Sequence, residues 1–167
     1  MAKSEFMAFL SGFDDASPVG VGIEKKSIRA PEVLNEPIEY EKSFSRGIRL
    51  ELDKYAFLFI SGTASIDERG NTYCPHDFLA QVDRTYKNLT ALLKSGGASW
   101  QNVVKTVCYL KNVRRDYGKF NAYRNKFYSK IKLSPFPASV AVGAELCRPE
   151  LLVEIEATAV VKKRAGR

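Results

Sequence analysis

Two glutamates stand in the last strand-like segment of the chain, between apolar residues. Glu154 and Glu156 alternate with valine, isoleucine and alanine across residues 152–159. Side chains of an extended strand point to opposite faces in turn, so both carboxylates share one face and the apolar residues share the other. A sheet face with paired carboxylates either meets water, with a lysine as partner, or lines a site. In a site, such a pair does acid–base chemistry on a bound molecule.

Other reactive residue types are sparse. Cys74 and His76 lack a second pair of ligands, so they do not indicate a metal site, and His76 is better explained as a helix cap. The single histidine is far in sequence from Cys108 and Cys147, so no thiol has an evident activator. No glycine-rich phosphate loop occurs. We therefore expect neither a metal ion nor a cofactor.

Composition and charge exclude further classes. The 167 residues suffice for one domain with a real core, and no apolar run approaches the ~20 residues that span a bilayer. The net charge is +7, but part of the excess lies in the last six residues and the rest lies at helical spacings, which favours a solvated surface over a nucleic-acid interface. Three cysteines without tight spacing and the absence of a secretory signal favour the cytoplasm.

The elements that must position the carboxylates alternate between strands and helices. In chain order we predict strands over residues 44–52 and 55–61, a helix from residues 75–77 to Gly96, a strand over 103–110, a helix over 115–130, and two strands between residues 134 and 161. The order β-β-α-β-α-β-β predicts an α+β fold, a mixed β-sheet with two helices packed on one face.

Two features of this fold extend beyond the sheet. The face opposite the helices has apolar area and no third helix to cover it, so we expect oligomerisation. Residues 1–39 are rich in proline and glycine and are predicted to be an N-terminal extension or arm, with one short strand around residues 19–23 or 27–30. Residues 40–161 form the predicted domain, and residues 162–167 form a basic tail.

An ordered set of motifs between Tyr40 and Val161 resembles the RidA family, also called YjgF, whose members hydrolyse reactive enamines and imines. The set consists of Phe57-Leu58-Phe59-Ile60-Ser61-Gly62, Gln81 with Asn88, Gly97 with Asn102-Val103-Val104-Lys105, Asn121 with Phe127, and Leu152-Val153-Glu154-Ile155-Glu156-Ala157. The resemblance implies a fold like that of trimeric chorismate mutase. It also implies a homotrimer with three clefts between subunits.

The resemblance implies roles for four residues of such a cleft. Glu154 matches the first glutamate of the family's Glu-Ile-Glu pair and is the implied catalytic residue, which positions or activates water. Ser61 and Gly62 match the family's serine-glycine at a strand end. Together with Thr63, they are implied to bind a polar group of the substrate through backbone and hydroxyl groups.

Three positions depart from the family pattern. The tyrosine of the family falls on Phe44, its arginine falls on Pro137, and a cysteine that often follows falls on Ser139. In deaminating members the arginine holds the carboxylate of an imino acid bidentately. Losing charged hydrogen bonds of 1.5–3 kcal/mol each weakens such substrates by a factor of ~10²–10³. The ordinary 2-imino-acid deaminase reaction is therefore not expected, although Pro137 and Ser139 remain candidate lining residues.

Arg46 is the candidate for replacing the missing charge. Strand alternation places Arg46 on the same face as Phe44, the position that borders the cleft in the family. A guanidinium there would reach a ligand carboxylate from the wall opposite Glu154. The alternative is that Arg46 pairs with a surface acid.

A further likeness bears on the ligand. Phe44-Ser45-Arg46-Gly47 and the segment from Phe59 to Ile66 resemble the RidA-like domain of chorismatases, which hydrolyse chorismate. This likeness implies a small carboxylated or aromatic metabolite as partner.

The first functional hypothesis is a hydrolase that acts on enamine, imine or enol-ether carboxylates. The second is a trimer that binds a metabolite without catalysis. An endoribonuclease, a label long attached to parts of the family, is a third hypothesis, which the isolated histidine disfavours.

Overall fold

The computed structural model of the protein describes residues 23–163, which contain one mixed sheet and two α-helices. The strands are β1 (Glu24–Ile28), β2 (Gly47–Leu52), β3 (Tyr55–Ala64), β4 (Val103–Leu110), β5 (Ala138–Gly143) and β6 (Val153–Lys162), and the helices are α1 (Phe78–Ser95) and α2 (Val113–Lys130). The sheet order is β1-β2-β3-β6-β4-β5, with β4 and β5 parallel and the other neighbours antiparallel. The predicted fold class is confirmed.

The core lies between the helices and one face of the sheet. The alternating apolar residues of β6 are buried there. Apolar residues also recur every three or four positions in the sequence of α1, which predicts one buried stripe. The structure buries this stripe, which consists of Phe78, Val82, Tyr86, Leu89 and Leu93. Asp77 caps the first turn of α1 by accepting a 3.0 Å hydrogen bond from the Ala80 amide, and the helix ends at Gly96. The prediction that His76 caps the helix is therefore wrong by one residue. The cap is Asp77, whose carboxylate accepts hydrogen bonds from the free amides of the first turn better than an imidazole does.

Two buried amides of α1 hold the segments on either side of it. Gln81 donates from Nε2 to the Cys74 and Glu150 carbonyls and accepts at Oε1 from the Leu152 amide, all within 3.0 Å. Asn88 donates from Nδ2 to the carbonyls of Ala64 and Ile66 at 3.0 and 2.8 Å. These bonds satisfy backbone groups that would otherwise be buried without partners, and they fix the loop after β3 and the start of β6.

The N-terminal region contributes to the fold. β1 pairs with β2, and Ile28, Ala30 and Leu34 are part of the core. The alternative strand over residues 19–23 concerns positions that, apart from Ile23, lie outside the described residues. β2 begins at Gly47, later than the predicted residue 44. Gly47 pairs with Ile60 of β3, and the Ser61 amide still donates to the Arg46 carbonyl at 3.0 Å just before this strand.

In the described part of the chain, no helix packs on the second face of the sheet. Phe59 is 47% exposed, Val140 47% and Val142 38%, and all three project from this face beside Glu154 and Glu156. Within residues 23–163, neither helix combines the length and the apolar character that crossing a bilayer requires.

Candidate functional site

A β-bulge at the end of β3 builds the floor of the site. Ile60 lies opposite Ala157 and Thr63 lies opposite Ile155, so two residues of β3, Ser61 and Gly62, face a single residue of β6. Such a bulge bends the strand and changes the direction of its side chains. As a result Thr63 turns into the core, where it is fully buried and donates from Oγ1 to the Ser61 carbonyl at 2.8 Å. Thr63 therefore shapes the bulge and does not line the cavity.

Gly62 lies directly against the carboxyl group of Glu154. A Cβ atom at residue 62 would stand 1.9 Å from Oε1 of Glu154, a distance that real atoms do not adopt. The absence of a side chain is thus what lets the carboxyl group rest on the bulge. Ser61 is held beside it, since its Oγ donates to the Ser45 carbonyl at 2.7 Å.

A cavity of about 400 Å³ opens above this floor. Of the residues proposed from the sequence, it brings together Phe44, Arg46, Ser61, Gly62 and Glu154. Lys42 and Arg148 add two further cationic side chains to its wall, and Cys147 and Tyr40 also border it. The cavity therefore combines one carboxyl group with aromatic rings and an excess of positive charge.

Arg46 is placed in the cavity wall by a buried network. Nε and Nη2 donate to the Asn35 carbonyl at 2.9 and 2.8 Å, and Nη2 also donates to Asn35 Oδ1 at 3.0 Å. The guanidinium carbon lies 5.8 Å from the ring centroid of Tyr40 and 5.6 Å from that of Phe44. Arg46 is only 6% exposed, so it does not form the surface ion pair of the alternative hypothesis. It has in addition a structural role that the sequence pattern did not predict.

Burial and neighbouring charges shift the pKa of Glu154. Removal from water raises the pKa of its carboxyl group above 4.5, the nearby Glu156 charge raises it further, and the Arg46 charge opposes both. A second cavity of about 230 Å³ adjoins the first at Cys147 and Glu154. In it the Tyr109 hydroxyl donates to Glu156 Oε1 at 3.0 Å, which raises the pKa of Tyr109. Glu154 thus holds a proton more easily than an ordinary glutamate does.

Several lining residues escaped the sequence analysis. Tyr40 and Lys42 reach the cavity because a short 3-10 helix, Pro37–Tyr40, ends at Glu41 with a φ of 59° and turns the chain back. The segment Glu36-Pro37-Ile38-Glu39 carries a readable signal for that helix, a proline in its first turn with an acid two residues later. Arg148, whose Nη1 donates to the Gly70 carbonyl at 2.7 Å, has no comparable local signal.

Pro137 and Ser139 do not meet Glu154 within one chain. They lie just before and within β5, and β6 and β4 separate β5 from β3. Ser139 pairs with Thr106, which pairs with Ala157, so its side chain points to the helix face of the sheet and not to the face of Glu154. Across residues 23–163, no three or more histidine, cysteine or acidic side chains come together in the way that a metal ion requires.

Comparison with known proteins agrees with this architecture. The sequence model of the family described as Endoribonuclease L-PSP matches residues 35–161. A RutC family protein from Pyrococcus abyssi is 33% identical over 103 residues, which is 62% of this chain and 77% of that protein.

Solved structures show the same fold. The crystal structure of the YjgF gene product from E. coli superposes with a TM-score of 0.67 at 23% identity, over 81% of this chain and 98% of that one. The E. coli TdcF structure with bound serine has a TM-score of 0.68 at 19% identity, over 82% of this chain and 99% of that one. At these identities the likeness concerns the fold alone.

Proposed function

The chain belongs to the Endoribonuclease L-PSP family, also called RidA or YjgF, and from this premise we propose that it is a homotrimer with a small-molecule site at each subunit boundary. The reaction we propose is hydrolysis of enamine, imine or enol-ether carboxylates. The observation that carries the proposal is the Glu154 carboxyl group, which rests on a bulge inside a cavity of suitable size, with its pKa raised.

The open face of the sheet supports the trimer. Phe59, Val140 and Val142 together expose an apolar surface that a single chain leaves in water. Association of like subunits removes this surface from water and gains about 25 cal/mol per Å² of apolar area. Glu154 projects from the same face. Docking subunits on this face would therefore convert the cavity into a cleft between two chains.

The charges and rings of the cavity define the ligand class. Lys42 and Arg148 lie at the wall with Arg46, and they attract a carboxylate. Tyr40 and Phe44 offer an apolar surface to the rest of a small molecule. The TdcF structure contains serine, which carries a carboxylate, and the likeness to chorismatases points to the same class. We therefore propose a small carboxylated metabolite, with or without an aromatic ring.

Glu154 provides the acid–base group of the reaction. As a carboxylate it takes a proton from the water molecule that attacks the C=N carbon of the protonated imine. As a carboxylic acid it returns that proton to the nitrogen of the adduct, the C–N bond breaks to release ammonia, and the hydroxyl loses its proton to the regenerated carboxylate as the carbonyl forms. For an enol ether, the acid form protonates the carbon of the double bond, and water adds to the resulting cation while its proton returns to Glu154. The C–O bond of the hemiketal then breaks, which releases the alcohol and leaves the carbonyl. A carboxyl group with a raised pKa suits both steps, because burial makes the acid form easier to reach than it is for an ordinary glutamate.

The ordinary 2-imino-acid deaminase reaction does not fit this site, since Pro137 has no side-chain donor for the substrate carboxylate. The alternative function is a non-catalytic trimer that binds a metabolite in the same clefts. A nuclease is not favoured, because His76, the single histidine, does not line the cavity. We propose the cytoplasm as location, which the three free cysteines support.

Measurements of binding and turnover distinguish the proposed hydrolase from the non-catalytic binding protein. We expect calorimetry to show benzoate binding in preference to its neutral isostere benzamide, with weaker benzoate binding by Lys42→Gln. Turnover of chorismate or another enol-ether carboxylate that disappears in Glu154→Gln would establish catalysis. Binding without turnover would favour the alternative. Deamination of 2-iminobutanoate near the rates of arginine-containing relatives, measured by competition with semicarbazide, would contradict the exclusion of that reaction.

A further inference from the structure

Arg124, a residue of α2, contacts Ser139, the residue on which the family cysteine falls. Its Nη1 donates to Ser139 Oγ at 3.1 Å, its Nη2 donates to Asn121 Oδ1, and its guanidinium carbon lies 5.5 Å from the ring centroid of Phe120. Three contacts therefore fix the direction of a long side chain that would otherwise be free to rotate. A guanidinium held in this way loses little further entropy when it binds a ligand.

The charge of Arg124 is not neutralised by a neighbour. No aspartate or glutamate oxygen between residues 23 and 163 lies within 4.0 Å of its nitrogens, and its hydrogen-bond partners, Ser139 and Asn121, are neutral. The guanidinium has five N–H groups. Nη1 and Nη2 each make one bond in this part of the chain, and Nε makes none. The remaining donors are those that a carboxylate accepts bidentately.

Ser139 extends this arrangement toward solvent. It is exposed, although it points to the helix face, because β5 is the edge strand and α2 covers it incompletely. Its Oγ accepts from Arg124 Nη1 at 3.1 Å and from Thr106 Oγ1 at 2.9 Å. Arg124 and Ser139 thus form a joined donor pair beside the edge strand of the sheet.

We propose that Arg124 replaces the arginine that Pro137 lacks, and that it binds the ligand carboxylate in the cleft formed with the Glu154 cavity of the neighbouring subunit. This inference rests on the proposed function. The donor pair and Glu154 stand on opposite faces of one chain's sheet, two strands apart, so only a second chain brings them together. The guanidinium comes from a helix and not from β5. It would therefore approach the ligand from a direction different from that in the family, so the inference is compatible with the prediction that ordinary 2-imino-acid deamination is negligible.

Ligand binding to single variants is the first test. We expect Arg124→Gln to weaken benzoate binding at least tenfold, as measured by calorimetry on the trimer, with little change for benzamide. Lys126→Gln, at an exposed lysine of the same helix, is the matched control and should bind benzoate as the native protein does. Ser139→Ala should give a smaller loss. Native benzoate affinity in trimeric Arg124→Gln would overturn the inference and leave the proposed function standing.

Mixed trimers test whether Arg124 acts across the boundary. Lys42→Gln removes a cation from the Glu154 wall and Arg124→Gln removes the charge from the proposed opposite wall. When the two variants are refolded together, about one quarter of the clefts would combine native Lys42 with native Arg124 of the neighbour, if subunits assort at random. We expect that fraction to bind benzoate with native affinity. Recovery of no tight sites would overturn the inference, and failure of the native protein to bind benzoate would overturn both proposals.

Discussion

At the scale of single residues, the site depends on one close approach, that of Gly62 to Glu154. The carboxyl group occupies the space that any side chain at residue 62 would need. The bulge in β3 presents this glycine, and β6 presents the glutamate in a regular alternation. A serine-glycine pair at a strand end is common. Here residue 62 must be glycine because the proposed catalytic carboxyl group occupies the space of a side chain.

We predict that Gly62→Ala displaces Glu154 while the fold survives. The clashing atom is the end of a flexible side chain, so we expect a loss of less than about 1 kcal/mol in the free energy of unfolding. Benzoate binding or turnover should fall at least tenfold, because the carboxyl group can no longer rest on the bulge. Gly118→Ala is the control, since no atom lies within 4 Å of the added Cβ in α2. It should stabilise the helix by about 0.5–1 kcal/mol. Unchanged binding by Gly62→Ala would contradict the prediction.

The raised pKa of Glu154 predicts a specific dependence of stability on pH. A carboxyl group whose pKa is higher in the folded state favours folding below its ordinary value near 4.5, and this contribution disappears as the pH rises through the folded value. The stability of Glu154→Gln relative to the native protein should therefore increase from pH 4 to pH 7. Urea unfolding at both pH values measures the difference. Glu32→Gln, at an exposed glutamate, controls for the removal of one charge. An equal difference at both pH values would show that burial does not perturb Glu154.

At the scale of elements, Arg46 joins the N-terminal segment to the start of β2. Its three hydrogen bonds to Asn35 hold the chain that carries Tyr40 and Lys42 toward the cavity. Asn35 is itself buried, and it precedes the short 3-10 helix. The cavity wall is therefore built by a link between two segments of the chain.

We predict that Arg46→Ala destabilises the fold by about 2–4 kcal/mol, because it leaves the Asn35 carbonyl buried without its donor. Chemical denaturation measures this loss, and a Kd for benzoate measured well below the unfolding transition should rise as well. Arg114→Ala, at an exposed arginine of α2, should change stability by no more than about 0.5 kcal/mol. A stability loss as small as that of the control would show that the Asn35 network contributes little.

At the scale of the whole molecule, the open face of the sheet governs assembly. Phe59 is at its centre, on β3, and is half exposed in the single chain. We predict that Phe59→Asp converts the trimer into monomers, as measured by light scattering at micromolar concentration, because a charge cannot be buried there without a partner. Leu79→Asp, at an equally exposed leucine of α1, should leave the trimer intact. A native protein that is monomeric would contradict both the assembly and the cleft.

Much of the architecture was predictable because it follows from local periodicity. The alternation around Glu154, the stripe of α1 and the glycines after it each lie within one segment, and the structure has all three where they were predicted. β4 also runs from Val103 to Leu110 as predicted. Burial of one face imposes such patterns on neighbouring residues, so they can be read without knowledge of the fold.

What the sequence by itself determined is therefore the set of elements, their order and the shared face of Glu154 and Glu156. Only the tertiary structure decided that Thr63 turns into the core, that Arg46 is held by Asn35, and that Arg148 reaches the cavity. Each of these depends on a bulge or on a contact between segments far apart in the chain. Such contacts leave no periodic trace, because the residues that make them are adjacent in space and not in sequence.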